Sequence, residues 1–242
     1  MKLEIIGLNI ESCIAAQRAG ANRIELCENY SEGGTTPSYA FIQAARKHLS
    51  IELYVMIRPR GGDFLYGNDE IAIMKNNIDV CKKSGCDGVV LGMLHADGTV
   101  DKKRCAQLIV YAYPLGVTFH RAFDGVADPF KALEDVIDIG CERILTSGLQ
   151  PKATDGAPLI KQLVKQADDR IIIMPGSGVN SQNIQQLAES TGATEFHSSA
   201  SMFTKGNMQY HNPHLPKEKR ILVNENEVMA MSSLLKTFST PA

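Results

Sequence analysis

The sequence lacks the features that mark membrane, secreted and nucleic-acid-binding proteins. No apolar run approaches the ~20 residues that a helix needs to cross a bilayer, and the start, MKLEIIGLNIESC, has no signal-peptide core. The formal net charge is only −2, which provides no electrostatic reason to expect nucleic acid or an anionic membrane as a partner. We therefore expect a cytoplasmic protein that binds neither.

The sequence also lacks the cysteine spacing of a metal or redox motif. Its six cysteines include no C-x-x-C pair, and Cys81 with Cys86 has no second pair to complete a zinc site. A reducing compartment and a chain of 242 residues argue against a disulfide framework. Most of the cysteines are predicted to be small buried hydrophobic residues.

A regular alternation of short apolar runs and helical periodicity dominates the chain. The runs predicted to be strands are residues 3–8, 23–27, 51–58, 88–94, 116–121, 143–147, 170–174 and 194–197. The predicted helices are residues 10–19, 38–48, 70–84, 102–112, 129–139, 157–166, 180–190 and 226–238. Each strand with its helix has the length of one βα unit.

Eight successive βα units predict a closed (β/α)8 TIM barrel. The alternative is a doubly wound open sheet, which usually has G-x-G-x-x-G after its first strand, where this chain has LNIESC. We expect one domain over residues 1–242, with the barrel core at about 1–200 and a C-terminal extension at 201–242. Residues 205–224 are predicted to be an irregular excursion that covers the barrel or reaches a partner chain.

Ionisable side chains stand toward the ends of several predicted strands, where TIM barrels place reactive groups. They are Glu25, Arg58, His120, Glu195 and His197. Charged residues rarely enter a strand unless they are paired, so one interpretation is a set of ion pairs within the barrel. The other, which we favour, is a convergent catalytic pocket at the barrel mouth.

Each of these residue types has a chemical role in such a pocket. Arg58 can hold a carboxylate or phosphate in a fork geometry. Glu25 or Glu195 can act as a general base, because burial raises the pKa of a carboxyl group toward neutrality. His120 or His197 titrates near physiological pH and can return the proton.

The loops after the last predicted strands indicate an anion-binding region. Phosphate-binding barrels use the loops after strands seven and eight, where backbone amides point at the ligand. The predicted anion-binding residues are Arg58, Arg60, Ser147, Gly176, Ser177, Gly178 and Ser198. The alternative for the Gly-Ser-Gly stretch is an ordinary strand-to-helix turn.

Seven motifs resemble the CutC family. They are RIELCENYSEGGTTPS (23–38), VMIRPRGGDF (55–64), DGVVLGML (87–94), TFHRAFD (118–124), RILTSG (143–148), MPGSGV (174–179) and TEFHSSA (194–200). The resemblance covers residues 3 to about 200. It implies a cytoplasmic (β/α)8 barrel that takes part in copper homeostasis and assembles as a homo-oligomer, often a dimer.

The resemblance also implies copper, and Cu(I) prefers thiolate and thioether sulfur. Cys27 matches the family's cysteine after Glu-Leu and is the candidate metal ligand, with Met56 or a histidine as its partner. Many family members carry a second cysteine in the first strand, where this chain has Ile6. A paired-cysteine site therefore cannot be carried over.

Three functions remain open at this point. The first is copper homeostasis through Cu(I) binding. The second is a barrel enzyme of isomerase, lyase or hydrolase type on a small phosphorylated or carboxylated substrate, with an indirect link to copper. No lysine stands at a strand end, which counts against a Schiff-base aldolase. The third is a non-catalytic scaffold that works through its oligomer interface.

Overall fold

The computed structural model describes residues 1–216 and 219–238, and it confirms the predicted (β/α)8 barrel. The barrel strands are β1 Lys2–Gly7, β2 Arg23–Leu26, β3 Glu52–Met56, β4 Gly88–Leu91, β5 Gly116–Phe119, β6 Arg143–Thr146, β7 Ile172–Pro175 and β8 Glu195–Ser198. The helices are α1 Ile10–Arg18, α2 Tyr39–His48, α3 Asn68–Lys83, α4 Lys102–Ala112, α5 Pro129–Asp138, α6 Ala157–Ala167, α7 Ile184–Thr191 and α8 Glu225–Thr237. Residues 217–218 and 239–242 of the predicted extension lie outside the described residues.

The eight strands are parallel and follow the chain order around the barrel. Hydrogen bonding runs β7-β6-β5-β4-β3-β2-β1-β8, and β7 packs beside β8 to close the cylinder. The register places Glu4 of β1 beside Arg23 of β2 on one side and beside His197 of β8 on the other. Because residues at equal depth on parallel strands share a face, these three side chains meet inside the barrel.

Side chains in the βα loops explain where several helices begin. Asn9 Oδ1 accepts a hydrogen bond from the Ser12 N–H at 2.8 Å, and Asp101 caps α4 in the same way. Asp128 caps α5, where Pro129, which has no N–H to satisfy, occupies the first turn. No helix in the described part of the chain is both long and apolar enough to span a membrane.

Two separate apolar clusters fill the molecule. The larger one lies between the strands and the helices, with Ile5, Phe119 and Phe196 fully buried in it. The smaller one lies inside the barrel and consists of Cys27, Tyr54, Met56 and Val90, with Ile6 and Leu8 packed against it. Charged side chains take up much of the remaining interior, so the barrel can contain a polar site.

Gly88 of β4 makes room for the Tyr54 ring inside the barrel. A Cβ at position 88 would lie 2.2 Å from this ring, which also contacts the guanidinium groups of Arg23 and Arg143. We expect Gly88→Ala to lower the free energy of unfolding by about 1–3 kcal/mol in urea denaturation. Gly67→Ala, whose Cβ would lie 3.7 Å from its nearest neighbour, should change it by less than about 0.5 kcal/mol. Equal effects would contradict the packing argument.

Residues 205–224 were predicted to be irregular, but the two ends of this segment belong to strands that pair as a β-hairpin. β9 Ser201–Lys205 pairs antiparallel with β10 Lys219–Val223. The hairpin packs on α1, where Asn9 Nδ2 donates to the Ile221 carbonyl oxygen at 3.1 Å. Sequence patterns detect a hairpin mainly through a short turn between its strands, and the long connection between β9 and β10 has none.

Candidate functional site

A cavity opens at the end of the barrel where the strands finish and the βα loops begin. Its volume is about 990 Å³. The predicted site residues on its wall are Glu25, Cys27, Arg58, His120, Ser177, Gly178, His197 and Ser198. The predicted site residues that do not line it are Arg60, Ser147, Gly176 and Glu195. The structure thus brings most of the predicted set to one place.

Glu25, His197 and Glu4 form a buried cluster at the floor of this cavity. His197 Nδ1 lies 2.6 Å from Glu4 Oε1, within hydrogen-bonding distance, and His197 Nε2 lies 3.8 Å from Glu25 Oε2. Glu25 Oε1 is buried and has no hydrogen-bond partner in the described part of the chain. Because an unpaired buried oxygen costs free energy, Glu25 Oε1 is an atom that a proton or a ligand would satisfy.

Burial and neighbouring charges separate the pKa values of this cluster. Burial raises the pKa of Glu25 to about 7, with His197 opposing the rise and Glu4 adding to it. Burial alone would raise the pKa of Glu4, but Arg23 and His197 outweigh it and lower that pKa to about 2. Burial alone would lower the pKa of His197, but Glu25 and Glu4 outweigh it and raise that pKa. Glu4 is therefore an ionised acceptor, whereas the pKa of Glu25 lies near neutral pH and the two carboxylates raise the pKa of His197.

His120 faces the same cavity as a neutral hydrogen-bond donor. Its Nδ1 accepts from the Ala122 N–H at 3.2 Å, so the neutral ring carries its proton on Nε2. Nε2 is buried and has no partner among the described residues. Burial, together with the charge of Arg58, lowers the pKa of His120 to about 3. This differs from the proton-carrying role predicted for His120, because a ring that stays neutral does not titrate near physiological pH.

Arg58 reaches the cavity wall, but its guanidinium group is bound to the protein itself. Nη1 donates to the carbonyl oxygens of Glu32 at 2.6 Å and Gly34 at 2.8 Å, and Nη2 donates to that of Gly62 at 2.8 Å. The group also lies 5.1 Å from the centre of the Phe64 ring. Arg58 therefore differs from the predicted anion ligand, because loop carbonyls bind both of its terminal nitrogens, although its buried Nε has no partner among the described residues. It ties the loop after β2 to the Gly-Gly turn after β3.

Glu195 lies below the cavity floor as the first residue of β8. Its Oε2 accepts from Arg23 Nη2 at 2.5 Å and from Arg143 Nε at 3.0 Å. Arg23 also donates to Glu4 and Glu52. For Glu195 the ion-pair interpretation holds in place of the predicted general-base role, because its carboxylate is enclosed between two guanidinium groups.

Three residues predicted to bind an anion have other roles. Arg60 forms an ion pair with Glu70 at 2.7 Å in the loop before α3. Ser147 is fully buried, and its hydroxyl is hydrogen-bonded to neighbouring loops. A Cβ on Gly176 would lie 2.5 Å from Leu145 Cδ1 and 3.3 Å from His197 Cδ2, so this glycine makes room for both side chains.

Ser177, Gly178 and Ser198 line the cavity, but the hydroxyl groups of both serines already donate hydrogen bonds to backbone carbonyl oxygens. Ser177 Oγ donates to the Pro151 carbonyl oxygen at 2.8 Å, and Ser198 Oγ donates to that of Val179 at 2.6 Å. Ser177 and Gly178 have φ angles of 76° and 73°, and their amides have no acceptor within residues 1–216 and 219–238. The loop after β7 can therefore hold an anion through backbone N–H groups.

Three further wall residues were not predicted to act in the site. Arg121 forms an ion pair with Asp124 at 2.7 Å and exposes 44% of its side chain. Glu227 of α8 accepts from the Ser181 N–H at 2.6 Å. Arg121 and Asp124 stand one and four positions after His120 in the motif TFHRAFD, which is a usable sequence signal. Glu227 has no such signal, because only tertiary packing brings α8 to this loop.

The sequence and the fold match one known family over most of the chain. The model of the CutC family matches residues 1–202. The chain belongs to the CutC family. A Homo sapiens protein named copper homeostasis protein cutC homolog is 49% identical over 210 residues, which cover 87% of this chain and 77% of that one. A CutC family protein of Parabacteroides distasonis is 49% identical over 228 residues, or 94% of each chain. The crystal structure of a CutC protein from Streptococcus agalactiae has 34% identity and a TM-score of 0.79, covering 82% of this chain and 98% of that one.

Two sulfur-containing residues of this CutC chain, Cys27 and Met56, line the cavity. A Cβ on Gly34 would lie 3.4 Å from Cys27 Sγ and 3.5 Å from Met56 Cε, so these side chains are neighbours. Thiolate and thioether are the ligands that Cu(I) prefers. Burial raises the pKa of the Cys27 thiol well above its usual value, and Glu25 adds to the rise. A metal ion would therefore have to displace the thiol proton.

A second group of donor atoms in this CutC chain suits harder cations. Ligand atoms of Glu4, Glu25 and His197 lie within 4.8 Å of one another, and carboxylate and imidazole favour cations other than Cu(I). Glu4 is already hydrogen-bonded to Arg23 and His197, which leaves one carboxylate and one imidazole nitrogen. These fall short of the three or four protein ligands of zinc sites.

Proposed function

We propose that this CutC chain is an enzyme that moves a proton on a small phosphorylated or carboxylated substrate, in a reaction of isomerase, lyase or hydrolase type. The observation that carries the proposal is that Glu25 Oε1 and His120 Nε2, on the wall of one cavity, are buried and have no partner in the described chain. Arg58 Nε, on the same wall, is the third such atom. Such atoms are costly to bury, and a substrate bound between Glu25 and His120 would satisfy both. The link to copper is then indirect.

The two groups have complementary roles in this proposal. Glu25, whose pKa burial raises to about 7, takes a proton from a carbon atom next to a carbonyl group. The electron pair of the broken C–H bond moves toward the carbonyl oxygen, to which His120 Nε2–H donates a hydrogen bond. In a substrate with a hydroxyl group on that carbon atom, the hydroxyl proton moves to the former carbonyl oxygen, and Glu25 returns its proton to the former carbonyl carbon, which completes an isomerisation.

The anionic end of the substrate would bind at the loops after β5 and β7. Arg121 lies on the cavity wall with part of its side chain exposed. Together with the amides of Ser177 and Gly178, Arg121 takes the role predicted for Arg58.

Hydrogen exchange in D2O tests the proposed enzyme before its product is known. The protein is incubated with phosphorylated and carboxylated sugars, and loss of the C–H signal next to the carbonyl group is followed by proton NMR. We expect exchange on at least one compound, slowed by about 10²–10⁴-fold in Glu25→Gln. Glu32→Gln, at the exposed rim of the cavity, should retain it. No exchange on any compound, or equal rates in both variants, would contradict the proposal.

Cu(I) binding is a second candidate function, supported by the neighbouring sulfur-containing side chains of Cys27 and Met56. We expect the reduced protein to take up Cu(I) stoichiometrically in competition with a chelator. Cys27→Ser should lose this copper, whereas Cys105→Ser, a buried cysteine outside the cavity, and Glu25→Gln should keep it. The same copper content in Cys27→Ser and wild type would exclude this candidate.

We propose further that the protein acts in the cytoplasm as a homodimer. All six cysteines are free and buried, which suits a reducing compartment. Phe203 on β9 and Tyr210 in the connection to β10 are 63% and 74% exposed, and a second copy would cover such apolar surface. Light scattering of the wild type should give twice the mass of one chain, and the Phe203→Asp variant should give a lower mass. A monomeric wild type would contradict this assembly.

A further inference from the structure

A row of buried charged side chains connects the lower barrel interior to the cavity. Arg23 donates to Glu4, Glu4 Oε1 lies 2.6 Å from His197 Nδ1, and His197 Nε2 lies 3.8 Å from Glu25 Oε2. Glu25 and His197 line the cavity, whereas Arg23 and Glu4 lie behind them. Glu4 therefore acts on the cavity through the imidazole.

The two oxygen atoms of Glu4 face two different donors. Oε2 accepts from Arg23 Nε, and a guanidinium group can only donate. Oε1 is left for His197 Nδ1, and an ionised carboxylate can only accept. The neutral imidazole must therefore carry its proton on Nδ1, so the lone pair of Nε2 faces Glu25.

We propose that Glu4, oriented by Arg23, is a positioning residue that holds the His197 proton on Nδ1 and so presents Nε2 to Glu25 as an acceptor. This role rests on the proposed proton transfer by Glu25. Once Glu25 Oε2 and His197 Nε2 move from 3.8 Å to hydrogen-bonding distance, the proton that Glu25 takes from the substrate passes to Nε2. The imidazole becomes an imidazolium, and Glu25 is again a carboxylate. The reverse transfer returns the proton to Glu25.

The charges around His197 support this arrangement. The charged groups that face the ring are Glu4 from β1 and Arg23 and Glu25 from β2, and the loop after β7 contributes the uncharged Gly176. Burial opposes a charged ring, but the two carboxylates outweigh burial and raise the pKa of His197. The imidazolium formed by proton uptake at Nε2 is therefore stabilised between Glu25 and Glu4.

Glu195 provides a matched control for Glu4. It is another buried carboxylate that accepts from Arg23, at 2.5 Å, but its second partner is Arg143 and not His197. If Glu4 only balanced the charge of Arg23, Glu4→Gln and Glu195→Gln would have the same consequences. A positioning role requires that they differ at His197.

Glu4→Gln should invert the tautomer of His197. Because Arg23 can only donate, the amide oxygen of the glutamine turns to Arg23 and its NH2 group turns to His197 Nδ1. Nδ1 must then accept, so the proton moves to Nε2 and points at Glu25. Glu195→Gln leaves the proton on Nδ1.

Nitrogen-15 NMR of histidine-labelled protein shows the tautomer directly, at pH values above the pKa of His197, and His197→Gln identifies the signals. We expect Nδ1–H in the wild type and in Glu195→Gln, and Nε2–H in Glu4→Gln. Hydrogen exchange at the C–H bond of the substrate in D2O should be about 10–100-fold slower in Glu4→Gln than in Glu195→Gln. A proton on Nε2 in the wild type would overturn the proposal, and this result can be measured even if Glu4→Gln does not fold. The same tautomer in all three proteins would also overturn it.

The tautomer is measured without substrate, so this test is independent of the proposed function. An inverted tautomer in Glu4→Gln with no exchange in any of the proteins would overturn the proposed function and support the positioning role of Glu4. Exchange in the wild type with the same tautomer in all three proteins would support the enzyme and overturn the positioning role.

Discussion

Replacing Arg23 with methionine is expected to lower the free energy of unfolding by about 3–5 kcal/mol. The Arg23 side chain is fully buried and donates to Glu4, Glu195 and Glu52. Methionine fills a similar volume but leaves the carboxylates of Glu4 and Glu195 buried without their partner. Uncompensated buried charge is among the most destabilising changes a single substitution can make. Urea denaturation at neutral pH measures the loss.

Two further variants separate the effect of charge from that of volume. Arg170→Met removes an exposed ion pair with Glu134 at 2.7 Å and should leave stability unchanged within error, because solvent screens such pairs. Adding Glu4→Gln and Glu195→Gln to Arg23→Met should recover much of the loss, because the unpaired buried charges are then gone. A triple variant as unstable as Arg23→Met alone would assign the loss to packing.

Glu25→Gln is expected to stabilise the fold near pH 8, although it removes the proposed proton carrier. Burial raises the pKa of Glu25 to about 7 in the folded protein, against about 4.3 in an unfolded chain. Between these values the folded state binds more protons than the unfolded state, so stability falls as the pH rises. Above the folded pKa the wild type carries the full cost of the buried charge. Its removal should raise the free energy of unfolding by about 1–3 kcal/mol.

The dependence on pH distinguishes this effect from a general change in packing. Below about pH 4, Glu25 is protonated in both states, so wild type and Glu25→Gln should have nearly equal stability in urea. Glu32→Gln, which alters an exposed carboxylate on the same cavity, should show no such pH-dependent gain. A wild type at least as stable as Glu25→Gln near pH 8 would contradict the buried charge.

The barrel could be predicted because its signals are local. Apolar runs and helical periodicity report burial residue by residue, and α4 occupies Lys102–Ala112 as predicted. Predicted boundaries differ where a loop has a distant partner. α7 begins at Ile184 instead of residue 180, because the preceding loop is held by Glu227 of α8, which accepts from Ser181.

The site could be predicted only in part. Parallel strands of a barrel end at one face, so the sequence was enough to predict that Glu25, His120 and His197 lie in one cavity. The sequence could not predict that the terminal nitrogens of Arg58 are already hydrogen-bonded, because its partners include carbonyl oxygens of the loop after β2. Every residue type has a backbone carbonyl, so no sequence motif can reveal this contact.

By itself, the sequence determined the barrel, the family and the kinds of side chain at the strand ends, because these depend on local pattern and composition. The tertiary structure decided which of those side chains are available for chemistry. Glu195 is closed between guanidinium groups, whereas Glu25 and His120 each keep a buried atom without a partner in the described chain. The physical reason is that desolvation and hydrogen bonding depend on atoms far apart in sequence, such as Glu4 and His197, which are separated by 193 positions and lie 2.6 Å apart.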